Sequence, residues 1–85
     1  MKRKRSRATI ARYNVLLVWD AEDKVWVSHV PTLGGLSTFG DTKEEALTHT
    51  REAILGYLEA AEKEGLDVPK GDSKAELVAV AVATP

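Results

Sequence analysis

Cysteine is absent from the 85-residue sequence. That excludes a disulfide framework, a thiolate metal site and a thiol nucleophile. Long apolar runs are missing too. The run Val15–Trp19 falls far short of the roughly 20 residues a membrane span requires. The basic beginning is followed by neither an apolar region of signal-peptide length nor a small-residue cleavage site. The expected location is therefore cytoplasmic. Histidine is limited to His29 and His49. A catalytic or metal-bound histidine needs a carboxylate or a second ligand at close range. Glu45 precedes His49 by one helical turn, and the pair reads as an ordinary surface contact. No H-E-x-x-H, phosphate loop or G-x-S-x-G occurs. Gly34–Gly35 is not followed at once by a helix, which argues against a phosphate cradle. No cofactor, metal site or catalytic residue is expected.

What is present is an uneven charge distribution. Six of the twelve basic residues fall within the first twelve positions: Lys2, Arg3, Lys4, Arg5, Arg7 and Arg12. From Tyr13 onward, six basic residues face thirteen acidic ones, a balance of −7. The sequence divides into a basic arm over residues 1–9, expected to be mobile, and a single acidic domain over 10–85. An acidic body favours basic partners and repels nucleic acid. The arm does the reverse, and Lys2, Arg3, Lys4, Arg5 and Arg7 are its candidate nucleic-acid contacts. A domain of this size has a thin core, for which oligomerisation is a common remedy.

The stretch from Pro31 to Ala46 joins sheet to helix with few spare residues. Pro31 ends a strand, Gly34–Gly35 suits a tight reversal, and Leu36–Phe39 makes one short strand. Asp41 or Thr42 caps the helix that follows, with Glu44 or Glu45 at capping-box spacing. Before this stretch, period-two patterns predict strands over residues 10–20 and 25–30, joined by Ala21–Lys24. After it, Ala46, Leu47, Thr50, Ala53, Ile54, Tyr57, Leu58 and Ala61 form the buried stripe of a helix from about Thr42 to Glu64. Gly56 lies inside that helix, where close packing against another element would explain it. Gly65 is placed to stop it. Residues 76–83 alternate again and predict a fourth strand. The class is α+β with the order β-β-β-α-β. A right-handed crossover would set the last strand beside the first, giving sheet order 3-2-1-4 with one helix on one face.

That order is the first half of a ribonuclease H arrangement, whose metal clamp takes carboxylates from the first strand, the helix and the fourth strand. Asp20, Glu44 and Glu45 supply two of those places. The fourth strand supplies none, so the chain is not expected to be an enzyme.

Tyr13-Asn14-Val15, then Trp26 through Gly35 (WVSHVPTLGG), then Gly40 through Ala46 (GDTKEEA) resemble the HicB-like antitoxins. Glu52-Ala53-Ile54 and Val68-Pro69 also match, so the resemblance spans about residues 12–70. Thr32 and Gly34 stand where the family usually has Asp and Pro. The resemblance implies a partial ribonuclease H-like fold without nuclease activity. It also implies a binding module that neutralises a small basic mRNA-cleaving toxin, a HicA-like ribonuclease. Repression of the operon in that family uses an added DNA-binding domain, and none is expected within these 85 residues. Two other readings are a DNA-associated regulator acting through the arm and a structural oligomer without a toxin partner. A homodimer or homotetramer is expected under all of them. The first strand carries a second apolar face, Trp19 and Trp26 are large for a thin core, and Leu55 lies off the helix stripe. These three residues are the candidate oligomer or partner contacts.

Overall fold

The computed structural model describes residues 10–85. Three strands, β1 (Leu16–Asp20), β2 (Val25–Val30) and β3 (Leu36–Gly40), are followed by one helix, α1 (Lys43–Lys63). The strands form an antiparallel sheet in the order β1-β2-β3. This bears out the α+β class, with three strands and one long helix in the expected order.

Each connection has a local cause. In the β1–β2 turn the Asp20 carboxylate accepts the N–H groups of Glu22 and Asp23 at 3.0 and 3.1 Å. This turn lets Lys24 take a positive φ of 56°. Pro31–Leu33 forms one turn of 3₁₀ helix, and Gly34 and Gly35 reverse the chain with φ of 69° and 77°. Thr42 is the helix cap, its hydroxyl accepting the Glu45 N–H at 3.0 Å. Glu45 reaches back to accept the Asp41 N–H at 2.6 Å, a variant of the capping box. The helix stops in a Schellman arrangement: Leu66 N–H donates to Ala61 O at 2.9 Å and Gly65 N–H to Glu62 O at 3.1 Å.

The register places Trp26, Ser28 and Val30 of β2 on the helix side, with Leu17 and Trp19 of β1 and Leu36, Thr38 and Gly40 of β3 beside them. Val30, Leu33, Ala46 and Ala61 form the fully buried apolar core. Between sheet and helix lies a knot of hydroxyls. Thr50 Oγ1 is 2.6 Å from both Ser28 Oγ and the Ala46 carbonyl, and 3.0 Å from Thr38 Oγ1. Ser28 and Thr38 hydroxyls are 3.0 Å apart, and the Thr38 N–H donates to Ser28 Oγ at 3.2 Å. Among the described residues no buried side-chain polar atom is left without a partner.

Four expectations need correction. First, residues 76–83 form no strand and the sheet lacks the fourth member that the order 3-2-1-4 requires. Their alternating pattern has the period of a strand, but a period specifies faces, not a pairing partner. Second, β1 begins at Leu16, not near residue 10. The preceding residues bond elsewhere: Tyr13 Oη donates to Pro69 O at 2.6 Å, and Asp72 N–H donates to Arg12 O at 2.7 Å. Third, Gly56 is not packed against another element, since a Cβ there would meet nothing within 4 Å. The glycine that does need its bareness is Gly40, where a Cβ would lie 2.5 Å from Ala46 N. Fourth, His49 does not pair with Glu45. Its Nδ1 bonds the Phe39 carbonyl at 2.8 Å, while Glu45 is engaged by Asp41.

Candidate partner-binding surfaces

Asp20 is occupied by its turn, Glu45 by the helix start and His49 by β3. No three His, Asp or Glu side chains among the described residues gather into a metal-binding group. No helix among them is long and apolar enough to cross a membrane. Three exposed surfaces are candidates for partner binding.

The first is the solvent side of α1. Glu52, Leu55, Gly56 and Glu59 follow one another at spacings of three, one and three, which places them on one face. All four are exposed, Leu55 by 57%. Leu55 also borders a hollow of about 310 Å³ shared with Ile10, Tyr13, Ile54 and Leu58. The result is an apolar side chain beside a bare backbone position, with carboxylates above and below. Glu62 prolongs the acidic stripe toward the helix end.

The second is the pair Trp19 and Trp26, which are cross-strand partners on the helix side of the sheet. Their ring centroids are 5.4 Å apart and the planes meet at 57°. Aromatic pairs favour such tilted geometry. The Lys43 ammonium stands 5.1 Å from the Trp26 ring centroid, a cation–π distance. Trp19 remains 46% exposed, so the pair is both a lid on the sheet end and a surface feature.

The third is the sheet face turned away from α1. Leu16 and Val18 of β1, Val27 of β2 and Phe39 of β3 lie on it, Val18 and Val27 and Phe39 forming one cross-strand row. Phe39 is 63% exposed. A hollow of about 250 Å³ opens here between Asp20, Asp23, Val25, Val27 and Phe39. The period of β1 signalled this second apolar face. Phe39 was missed as a surface residue because a four-residue strand has too short a pattern to show which side the helix takes.

Trp19, Trp26 and Leu55 do not form one patch: the tryptophans cap one end of the sheet, and Leu55 belongs to the helix face beside Ile10 and Tyr13. The candidate nucleic-acid residues Lys2, Arg3, Lys4, Arg5 and Arg7 lie outside the described residues.

The Thr32 hydroxyl and the Asn14 N–H, the latter at 2.8 Å, hold the Asp72 carboxyl below the usual carboxylate range. Asn14 Nδ2 donates in turn to Ser73 O at 3.1 Å. Asp72 therefore fastens the segment after the helix to the approach to β1.

The family model for the HicB-like antitoxin of bacterial toxin–antitoxin systems matches residues 13–82. A UPF0150 protein of Thermoplasma acidophilum is 38% identical over 63 residues, covering 74% of this chain and 90% of that protein. No solved structure matches the chain at a significant level. The match takes in the strands, the capped helix and the segment beyond it, and on that ground the chain belongs to the HicB-like antitoxin family.

Proposed function

We propose that this protein is an antitoxin that neutralises a small basic mRNA-cleaving toxin of the HicA kind by protein–protein binding, without catalysis of its own. Family membership over residues 13–82 is the observation that carries the reading. The charge of the body supports it, since thirteen acidic residues against six basic ones from Tyr13 onward complement a basic, RNA-binding partner. The docking surface is the exposed α1 face of Glu52, Leu55, Gly56 and Glu59. Leu55 is its apolar anchor and the carboxylates are its charged rim. Trp19 and Trp26 serve as a second contact at the sheet end.

The test is co-expression with the small basic protein encoded beside it. The expected result is relief of growth arrest and co-purification of the two chains. The double reversal Glu52→Lys with Glu59→Lys should weaken the complex about tenfold or more, as like charges replace complementary ones. Both positions are exposed, so the fold should persist. A neighbouring toxin that neither binds nor is relieved would refute the proposal.

A further inference from the structure

Residues 73–85 are exposed throughout. Yet residues 76–83 have the composition of a covered strand, with Val78, Val80 and Val82 on one side and Leu77, Ala79 and Ala81 on the other. Leu77 is 83% exposed and Val80 78%. The segment forms no strand here, yet its apolar alternation suits it to pair with an open sheet edge.

Among the described residues the sheet also carries an unpaired edge. β2 lies between β1 and β3, and no described strand pairs with the other side of β1. β1 is apolar on both faces, with Leu16 and Val18 on one and Leu17 and Trp19 on the other. The tail is rooted beside this edge: Asp72 N–H bonds Arg12 O, and Asn14 bonds both Asp72 and Ser73. Beyond the root the tail parts from its own chain. A cleft of about 330 Å³ separates Asn14, Val15 and Leu16 from Ala75, Glu76 and Leu77.

We propose that residues 76–83 of one copy add as a strand to the free edge of β1 in a second copy, and that the exchange is reciprocal. Root and acceptor edge lie on the same side of the molecule, so a single two-fold axis beside the two β1 edges satisfies both tails at once. The root bonds Arg12 and Asn14, the residues that lead directly into β1, which favours the edge of β1 over that of β3. Covering the exposed side chains of two tails removes on the order of 1,000 Å² from water, and the edges they cover lose about as much, which reaches the size of a stable interface. The fourth place in the sheet is then filled by another chain. This inference does not depend on the toxin reading.

Sedimentation of the full chain, with Val80→Pro as the variant, tests it. Proline cannot donate to a strand ladder, but an exposed, unpaired segment tolerates it. The expected results are a dimer for the wild type and a monomer with unchanged helical circular dichroism for Val80→Pro. Because the chain has no cysteine, singly substituted Val18→Cys and Val80→Cys proteins can be mixed and oxidised without background. An interchain disulfide between them is expected to exceed that formed by either protein alone. A monomeric wild type, or a dimer indifferent to Val80→Pro, would overturn the proposal. Loss of toxin binding with the dimer intact would refute only the antitoxin reading.

Discussion

Gly40 and Gly56 make opposite demands on the chain. At Gly40 a Cβ would meet the backbone at Ala46 N and the carbonyl carbon of Glu45, at 2.5 and 2.9 Å. Backbone at a helix start cannot yield cheaply. Gly40→Ala is expected to destabilise the protein by about 1–3 kcal/mol, the usual cost of forcing volume into packed space. At Gly56 the space is open and the position is helical and exposed. Gly56→Ala is expected to stabilise by about 0.5–1 kcal/mol, because alanine restricts the unfolded chain and favours the helix. Urea unfolding of the two variants beside the wild type checks both signs. The sequence suggested close packing at Gly56, whereas the structure has it at Gly40. The position of Gly40 just before the helix start was legible. The approach of the helix start to β3 was not, because it depends on the packing of two elements. Among the described residues nothing packs within 4 Å of a Cβ at Gly56.

At the scale of elements, sheet and helix are held together by hydroxyls as much as by hydrocarbon. Thr50 occupies a position of the buried helical stripe, and its period marked it correctly as inward-facing. Its partners were not legible, because Ser28 and Thr38 are neighbours only through the β2–β3 register. Thr50→Val keeps the volume and removes the hydroxyl that Ser28 and Thr38 share. It is expected to cost about 1–3 kcal/mol, the range for buried polar groups left without a partner. The double variant with Ser28→Ala should cost less than the sum of the singles, since the two act in one network. Denaturant midpoints of the three variants measure this coupling.

The strap from the helix end to the approach of β1 depends on the Asp72 carboxylate. Because bonds from Thr32 and Asn14 hold its pKa below the ordinary value, its stabilisation is fully present above about pH 3.9 and is lost as pH falls through the lowered value. The stability difference between wild type and Asp72→Asn should therefore shrink progressively below about pH 4, as followed by urea midpoints across an acid series. A difference independent of pH would mean that the charge of Asp72 does not hold the strap. Thr32 and Asp72 each read as turn residues from the sequence. Their meeting brings together the loop after β2 and the loop after α1, which no local pattern encodes.

At the scale of the molecule, most of the architecture followed from patterns that act over a few residues. Period two marked the hairpin and period 3.6 the helix, while the motif between Pro31 and Ala46 located their junction. The resemblance carried by that motif agrees with the family match. The alternating pattern of residues 76–83 predicted a fourth strand beside the first that the structure does not form, because pairing depends on geometry outside the segment. The acidic body and the exposed Glu52–Glu59 face of α1 are the surface proposed for a basic partner. The most direct measurement is mRNA cleavage by a purified small basic toxin of the HicA kind, with and without an equimolar amount of this chain. The account predicts that cleavage stops with the wild-type chain and continues with the Glu52→Lys, Glu59→Lys variant. Cleavage that proceeds unchanged in an excess of folded wild-type protein would contradict it.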